Sequence, residues 1–216
     1  MDMNRVILTY SYLPRRLPAA RRAALAALLP YGRRLRLRGA LHGQSQTLLG
    51  IALACRALGR VARRRVWPAE LRFPTRGKPY APLLPAFNIA HAGAWVVCAV
   101  AERGDVGVDI ESTPGAIGAP MPWTLREATL KAAGVGLTHK AQSVRVAPAA
   151  AGSGSAEQRV EYQGRHWYWR AAPAPAATAV HVVASLPMRR LRSSTLPARQ
   201  VVDELLRAAR ALRAAS

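Results

Sequence analysis

Asp109, Glu111 and Glu127 are the residues whose types and spacing point most directly to chemistry. The chain holds only 11 Asp+Glu against 32 Lys+Arg, yet these three acids fall in two short motifs, GVDIE at 107–111 and WTLREATLK at 123–131. Carboxylate oxygens are the usual ligands of Mg²⁺, which fills its remaining positions with water and substrate phosphate. The motifs therefore predict a magnesium site that acts on a phosphorylated substrate.

The first motif predicts a β-strand that carries two of these acids on one face. Residues two apart in a strand point to the same side, so Asp109 and Glu111 should project together while Val108 and Ile110 point into the core. Two neighbouring carboxylates repel each other unless a cation joins them. For an isolated Asp-x-Glu pattern a solvated strand edge is the commoner arrangement, and that alternative stays open at this point.

The second motif predicts a helix, which Pro122 can open and which places Glu127 and Lys131 on one face. The alternative to a site is a surface i,i+4 salt bridge, worth only a few tenths of a kcal/mol. Lysine is rare in this chain, with three Lys against 29 Arg. Where arginine is the usual cation, Lys131 and Lys78 indicate a need for a compact charge that can lose its proton.

A turn followed by a strand forms a second candidate group. Glycine and proline bracket Lys78 in the predicted turn at 75–80, and Asn88 and His91 belong to the predicted strand that follows. A lone histidine is more often a satisfied core residue than a ligand. Together with Lys78, however, His91 favours an anion-binding site.

The rest of the chain alternates strand and helix patterns. Apolar residues at helical spacing indicate a core helix near 47–58 and an amphipathic helix at the end of the chain, and short β-branched and aromatic runs after residue 143 indicate an antiparallel meander. A loop rich in alanine, glycine and serine is predicted at 149–156. Strands are predicted at 6–12, 71–73, 87–91, 94–101, 106–111, 143–146, 159–162, 167–170 and 179–186, and helices at 19–29, 47–58, from about 122, and at 195–215.

Length and composition fit one domain or two intimately packed halves. The chain has 216 residues, 50% hydrophobic residues and a net charge of +21, which favours polyanionic partners. Arginine enrichment is spread along the whole chain, so we discount it as evidence for nucleic acid. Cys55 and Cys98 sit in apolar stretches and are predicted to be buried hydrophobic residues rather than a disulfide. Without a signal peptide or a long apolar run, a soluble cytoplasmic protein that binds no membrane is expected.

Four segments, in order, resemble the motifs of a known family. They are similar to those of the Sfp-type 4′-phosphopantetheinyl transferases, a superfamily that includes holo-acyl-carrier-protein synthase-like enzymes. The segments are GKPY at 77–80, FNIAHAG at 87–93, VGVDIE at 106–111 and WTLREATLKA at 123–132.

The resemblance implies an α/β (α+β) fold of two similar halves related by a pseudo-twofold axis, each an antiparallel sheet packed by a helix. Residues 1–104 would form the N-terminal half, 105–190 the C-terminal half and 191–216 a C-terminal helix. The active site would lie in the cleft between the halves. The implied reaction moves the 4′-phosphopantetheine arm of coenzyme A to a serine of an acyl or peptidyl carrier protein and releases 3′,5′-adenosine bisphosphate. The enzyme would act as a monomer on an acidic carrier.

The resemblance also implies a role for each candidate residue. Asp109, Glu111 and Glu127 would bind Mg²⁺ against the pyrophosphate of coenzyme A, and Glu127 would also be the base for the carrier serine. Lys131 would stabilise or protonate the departing phosphate. The resemblance further assigns Lys78 and His91 to the phosphates of coenzyme A, with His91 at the 3′-phosphate, and Trp123 mainly to packing.

The chain departs from the family pattern at three places, one of which is the absence of an obvious arginine ahead of the first-half helix, where Gly43-Gln44-Ser45-Gln46 stands. Alanine flanks His91 on both sides, at Ala90 and Ala92, where the family usually has serine, and only 15 residues separate Glu111 from Glu127, which is a short connection for this family. A coenzyme A-binding paralogue that has lost transfer activity is therefore one alternative. A nucleic-acid-binding protein driven by arginine is the other, although no binding module is recognisable.

Overall fold

The computed structural model describes residues 4–37, 40–75, 77–112, 123–136, 141–146 and 158–215. The predicted loop at 149–156 and all but the first residue of the connection after Glu111 lie outside the described residues, as does Pro122. In chain order the elements are β1 (Asn4–Tyr12), α1 (Ala19–Ala27), α2 (Tyr31–Leu35), α3 (Leu41–Ala62), β2 (Ala86–Ala92), β3 (Trp95–Ala101), β4 (Val106–Ser112), α4 (Trp123–Ala133), β5 (Arg145–Val146), β6 (Gln158–Tyr162), β7 (Arg165–Ala171), β8 (Thr178–Ala184), β9 (Met188–Thr195) and α5 (Ala198–Ala214).

The first sheet has the order β2-β3-β1-β9. The predicted hairpin of β2 and β3 is confirmed, and its turn contains Gly93 with φ +53°, a backbone conformation that glycine adopts without strain. Strand β9 was not predicted, and it pairs in parallel with β1, so this sheet is mixed rather than antiparallel. Strand β9 crosses the predicted boundary at 190/191 and joins the first sheet. The division of the chain into 1–104, 105–190 and 191–216 stays a prediction.

The second sheet has the order β4-β8-β7-β6-β5, and all its strand pairs are antiparallel. The predicted meander after residue 143 is therefore confirmed, although β5 is only two residues long. The predicted strand at 71–73 is wrong, since Arg72 forms only an isolated bridge with Tyr80. Pro74 and Pro79 flank this bridge, and neither can donate a backbone hydrogen bond to extend it.

Three hydrophobic clusters hold four layers together. Helices α1, α3 and α5 cover the outer face of the first sheet, valines and alanines of β1, β3, β4 and β8 fill the space between the sheets, and α4 packs on the outer face of the second sheet.

Cys55 and Cys98 are buried and free, as predicted. The predicted α/β fold of two halves, each a sheet packed by helices, is confirmed. In the part of the chain that the structure describes, no helix is long and apolar enough to span a bilayer.

Asn88 joins the two sheets at the level of the predicted site. This residue of β2 is buried, and its Oδ1 accepts a hydrogen bond from the backbone N–H of Val108 in β4 at 3.0 Å. An amide side chain in a strand that otherwise faces apolar layers is costly unless it is paired in this way. Asn88 therefore positions β4 through this hydrogen bond, and the anion site suggested for its neighbourhood stays a prediction.

Replacing Asn88 with alanine should destabilise the fold by about 1–3 kcal/mol, because the buried N–H of Val108 loses its acceptor. Urea denaturation followed by circular dichroism measures this free energy of unfolding. Gln158→Ala, which truncates an exposed amide on β6, is the matched control and should change stability by less than about 0.5 kcal/mol. Equal stability of the two variants would contradict the bridging role of Asn88.

Candidate metal centre

Asp109, Glu111 and Glu127 come together where β4 faces α4. One carboxylate oxygen of each lies within 4.8 Å of the others. Asp109 is buried, whereas Glu111 lies at the exposed end of β4. Val108 and Ile110 point into the core between the sheets, as predicted. The acidic face of β4 and the face of α4 that carries Glu127 therefore lie next to each other. The metal-binding role itself stays a prediction.

Gly107 allows α4 to pack directly on the backbone of β4. A Cβ atom at this position would lie 2.1 Å from the carbonyl oxygen of Ala128 and 2.3 Å from the backbone nitrogen of Ala132, distances that no real Cβ atom tolerates. Only glycine therefore allows this approach. Because Glu127 and Lys131 are the residues that precede these two alanines, the close contact carries both side chains toward Asp109.

Lys131 is held between two of the three carboxylates. Its Nζ donates to Asp109 Oδ1 at 2.6 Å and lies 3.0 Å from Glu127 Oε1. The side chains of Lys131, Asp109 and Glu127 are only 21%, 4% and 12% exposed. The i,i+4 pair of Glu127 and Lys131 is present, but it is part of a shielded three-residue cluster rather than a solvated surface bridge.

The oxygens that Lys131 does not occupy suit a divalent cation. Asp109 Oδ2 is buried and has no hydrogen-bond partner among the described residues. Such an orphaned carboxylate oxygen is costly without a ligand. Glu127 Oε2 accepts a hydrogen bond from Trp123 Nε1 at 3.0 Å. Asp109, Glu111 and Glu127 thus offer a donor set made only of oxygens, and Glu111 lies on its exposed side. Such a set fits Mg²⁺ bound together with a substrate phosphate.

Trp123 departs from the packing role expected of it. Trp123 is 56% exposed, and its indole N–H donates to Glu127 Oε2. Trp123 therefore orients a carboxylate of the site, which the aromatic character of the residue alone did not indicate.

Burial raises the pKa of Asp109 to about 6. The positive charge and hydrogen bond of Lys131 lower the pKa, while the negative charges of Glu127 and Glu111 raise it. Removal of the carboxyl group from water therefore outweighs its pairing with lysine. Because the folded-state pKa exceeds the unfolded value, this group contributes stability below about pH 4 and loses that contribution as the pH rises through about 6.

Mg²⁺ affinity should fall about tenfold when the pH is lowered from about 7 to about 5, because one unit below its pKa only about one tenth of Asp109 is ionised. Isothermal titration calorimetry with Mg²⁺ measures this dependence. In Lys131→Met the midpoint of the change should move to higher pH, since the lysine lowers the pKa of Asp109. An affinity that is flat between these pH values would contradict the assignment of Asp109 as a ligand.

His91 lies within electrostatic reach of the cluster. It belongs to the exposed end of β2, next to the Gly93 turn, which packs near Ser112 at the end of β4. Partial burial of the ring lowers the pKa of His91, and the charges of Lys131 and His42 lower it further. The neutral form of the imidazole is therefore favoured.

Lys78 is placed at the opposite end of β4. Its Nζ donates to Asp105 Oδ1 at 2.7 Å and to the carbonyl oxygen of Ala132, at the end of α4, at 3.1 Å. The Lys78 side chain is only 16% exposed. It also lines a cavity of about 550 Å³ between the 78–87 segment and the turn at 102–105. The structure thus separates Lys78 from His91 along β4, and the assignment of both to phosphate stays a prediction.

The sequence reading missed a buried polar pair beside Asp109. His181 of β8 is the cross-strand partner of Asp109, and its Nδ1 forms a 2.7 Å hydrogen bond with Thr124 Oγ1 in the first turn of α4. Trp169 packs on the imidazole, with ring centroids 5.5 Å apart. The pair ties α4 to β8. Its only sequence signal was a histidine within an otherwise apolar strand, and the register that sets it opposite Asp109 requires the folded sheet.

Two curated proteins match this chain over part of its length. A 4′-phosphopantetheinyl transferase of Bacillus subtilis is 35% identical over an alignment of 116 residues, and the match covers 49% of this chain and 49% of that protein. The 4′-phosphopantetheinyl transferase Sfp of Bacillus subtilis (strain 168) is 40% identical over an alignment of 72 residues, and the match covers 32% of this chain and 31% of that protein. The chain therefore spans half or less of the length of these relatives. No protein-family model matches it.

The matches and the ordered motifs point to one family. Three of the four segments, at 87–93, 106–111 and 123–132, supply β2 with its turn, the acidic strand β4 and most of α4, whereas the segment at 77–80 lies at the opposite end of β4. The two relatives confirm the resemblance found in the sequence: over part of its length, this chain is similar to Sfp-type 4′-phosphopantetheinyl transferases.

Proposed function

We propose that this protein transfers the 4′-phosphopantetheine arm of coenzyme A to a serine of an acyl or peptidyl carrier protein. The observation that carries the proposal is the shielded cluster of Asp109, Glu127 and Lys131, with Glu111 beside it. Its acids suit a divalent cation, and its lysine can meet the charge that develops on a departing phosphate. Both relatives bear the name of this activity.

In the proposed reaction the serine oxygen of the carrier forms a bond to the phosphorus that carries the pantetheine arm. The bond from that phosphorus to the bridging oxygen breaks, and 3′,5′-adenosine bisphosphate leaves. Glu127 accepts the serine proton, directly or through water, and Trp123 holds this carboxylate in place. Lys131 stabilises or protonates the departing phosphate. Arranging charges in this way before the reaction is the main source of catalysis in phosphoryl transfer.

Asp109, Glu111 and Glu127 would hold Mg²⁺. When bound, the metal neutralises charge on the phosphate under attack. Asp109 contributes an oxygen that has no other partner among the described residues, and its burial keeps water from competing for that position. Lys131, which pairs with Asp109 and Glu127 in the structure, would turn toward the phosphate where a cation neutralises these carboxylates.

Coenzyme A would bind along the face between β2 and α4. His91 would meet the 3′-phosphate, and it would gain a proton on doing so because the incoming negative charge raises its pKa. Lys78 would exchange its pairing with Asp105 for another of the phosphates. A net charge of +21 favours encounter with an acidic carrier. We further propose that the protein acts as a cytoplasmic monomer, which size-exclusion chromatography with light scattering would test for oligomeric state.

A paralogue that binds coenzyme A without transferring its arm is the second candidate. The alanines on both sides of His91 favour it, because they remove hydroxyl groups from the proposed phosphate site. The shielded arrangement of Lys131 with two acids opposes it, because loss of catalysis would remove the reason to retain a costly buried charge cluster.

The deciding experiment is transfer of a fluorescent coenzyme A analogue to a panel of apo carrier proteins in the presence of Mg²⁺. Label on at least one carrier, located at its serine by mass spectrometry, is the expected result. If no carrier is labelled but coenzyme A binds by calorimetry, the paralogue replaces the proposal. If coenzyme A does not bind and DNA binds with an affinity that falls steeply with salt, a nucleic-acid-binding protein replaces it.

A further inference from the structure

A cavity of about 520 Å³ lies between the C-terminal half of α3 and the start of α5. Its floor contains apolar side chains such as Cys55, Val66 and Leu205, and its wall carries an unusual concentration of guanidinium groups. Clefts of this size between helices are typical ligand sites. The arginines lining it are Arg56, Arg60, Arg63, Arg64 and Arg65.

The charge of this cavity is strongly unbalanced. The one acid in its lining is Glu204, which pairs with Arg56, so five arginines and one glutamate leave a net charge of +4. Glu70 lies nearby and pairs with Arg64 at 2.7 Å, which reduces the excess to about +3. The C-terminal end of α3 contributes only about half a negative charge. The field inside the cavity therefore favours an anion with several charges.

Arg56 supplies a donor that the described residues leave unsatisfied. Its Nε is buried and has no hydrogen-bond partner there. Burial lowers the pKa of Arg56, and the neighbouring charge of Arg60 lowers it further. An oxyanion at this point would accept a hydrogen bond from the unpaired Nε–H of Arg56 and reduce the repulsion between the Arg56 and Arg60 guanidinium groups. The planar donor geometry of a guanidinium group matches the spacing of phosphate oxygens.

The cavity is separate from the metal centre. At its N-terminal end α3 approaches the site, where Gln46 Nε2 donates to the carbonyl oxygen of Gly93 at 2.7 Å. Arg60 lies 14 residues further along the same helix, a distance of about 21 Å at 1.5 Å per residue. A ligand in the cavity would therefore neither contact the carboxylates nor occupy the proposed coenzyme A face.

We propose that this cavity is a second binding site, for a small phosphorylated anion that carries a diphosphate group. The arginines bind the phosphates, and the apolar floor accommodates any ring or chain attached to them. The site goes beyond the proposed transfer reaction and does not depend on it. The diphosphate can come from inorganic pyrophosphate or from a nucleotide, and both share the chemistry that the arginines recognise.

Trp67 reports on this site, because the Arg65 guanidinium lies over its ring at 5.7 Å. Inorganic pyrophosphate titrated into the metal-free protein should produce a saturable shift of the Trp67 indole N–H resonance, identified by its loss in Trp67→Phe. The shift should persist in Asp109→Asn, which alters the metal centre. A second titration with ADP distinguishes the sources: tighter binding of ADP indicates a nucleotide, and equal binding indicates that the phosphates alone are recognised.

Variants of one ion pair should change the affinity in opposite directions. Arg56→Gln combined with Arg60→Gln should weaken pyrophosphate binding about tenfold or more, whereas Glu204→Gln should tighten it about threefold, because it removes the negative charge from the cavity. If the variants acted only by breaking the Arg56–Glu204 ion pair, the pyrophosphate affinity would change in the same direction in both. The control, Arg207→Gln with Arg210→Gln, removes two exposed charges from α5 outside the cavity and should change the affinity less than about twofold.

Three outcomes would overturn the proposal. The first is the absence of a saturable Trp67 shift up to about 10 mM pyrophosphate, which corresponds to less than about 3 kcal/mol of binding free energy. The second is equal weakening by the cavity and control variants, which would show that delocalised surface charge attracts the anion. The third is weakening by Glu204→Gln.

Discussion

Replacing Asp109 with asparagine should reduce the proposed phosphopantetheine transfer by about a thousandfold and abolish the proposed Mg²⁺ binding. The asparagine keeps the shape of the side chain but removes the charge that a cation requires. Because burial already disfavours the ionised carboxylate, with its pKa raised to about 6, the free energy of unfolding should change by less than about 1 kcal/mol. Lys131 retains Glu127 as its partner.

Three measurements make this expectation specific. Label transfer to a carrier reports activity, calorimetry reports Mg²⁺ binding, and urea denaturation reports stability. Glu161→Gln is the matched control, since it removes an exposed carboxylate from β6 and should leave all three unchanged. Activity near wild type in Asp109→Asn would refute the ligand assignment. A collapse of stability with the activity would assign Asp109 to the fold instead.

Replacing Gly107 with alanine should cost about 2 kcal/mol or more of stability and most of the transfer activity. The new Cβ would overlap backbone atoms of α4 at 2.1 and 2.3 Å, so the helix must move away from β4, and overpacking of this kind typically costs 1–3 kcal/mol. Because α4 carries Glu127 and Lys131, the displacement would also separate them from Asp109. Misplacement of about 1 Å in a catalytic group can reduce a rate about a hundredfold.

Gly43→Ala is the control for this change. Gly43 lies in α3, and nothing lies within 4 Å of a Cβ placed there. Alanine at an open helical position should be neutral or stabilise by up to about 1 kcal/mol. Thermal unfolding and Mg²⁺ affinity should both fall in Gly107→Ala and neither should fall in Gly43→Ala. Wild-type Mg²⁺ affinity in Gly107→Ala would show that the close packing of α4 does not position the acids.

The periodicity of hydrophobic residues predicted most of the helices and strands, because the residues that each element buries recur at its own local spacing. The strands β3 and β4 are short runs that are buried almost throughout, which is typical of strands covered on both faces. The helix α3 follows from its apolar residues at helical spacing, although it extends to Leu41–Ala62. The last helix starts at Ala198 rather than Thr195 because Pro197 precedes it and β9 still occupies Thr195. The boundaries depend on neighbours that the local pattern does not contain.

Strand β9 shows the limit of such patterns. Its sequence MRRLRSST contains three arginines and few apolar residues, and most of it is exposed. Nothing local favours a strand there. The parallel pairing with β1 supplies the missing stabilisation through backbone hydrogen bonds, which depend on where the chain returns and not on side-chain type. A long-range edge strand of this kind is decided by topology.

The roles of the polar residues divide in the same way. That Asp109 and Glu111 share a face, and that Glu127 and Lys131 share another, follows from the geometry of a strand and a helix. The distance between those two faces does not follow from local geometry. It depends on glycine at position 107 and on the tie between Thr124 and His181, which become visible only when β4, β8 and α4 are packed together.

The residue types and their spacing were thus sufficient to predict which candidate residues share a face of β4 or α4, because periodicity is a local property of the chain. Tertiary structure alone decided that Lys131 pairs with Asp109, that Lys78 pairs with Asp105 at the other end of β4, and that Asn88 joins two sheets. Each of these pairings forms between groups far apart in sequence. Which groups meet is set by the packing of buried layers, which local sequence does not contain.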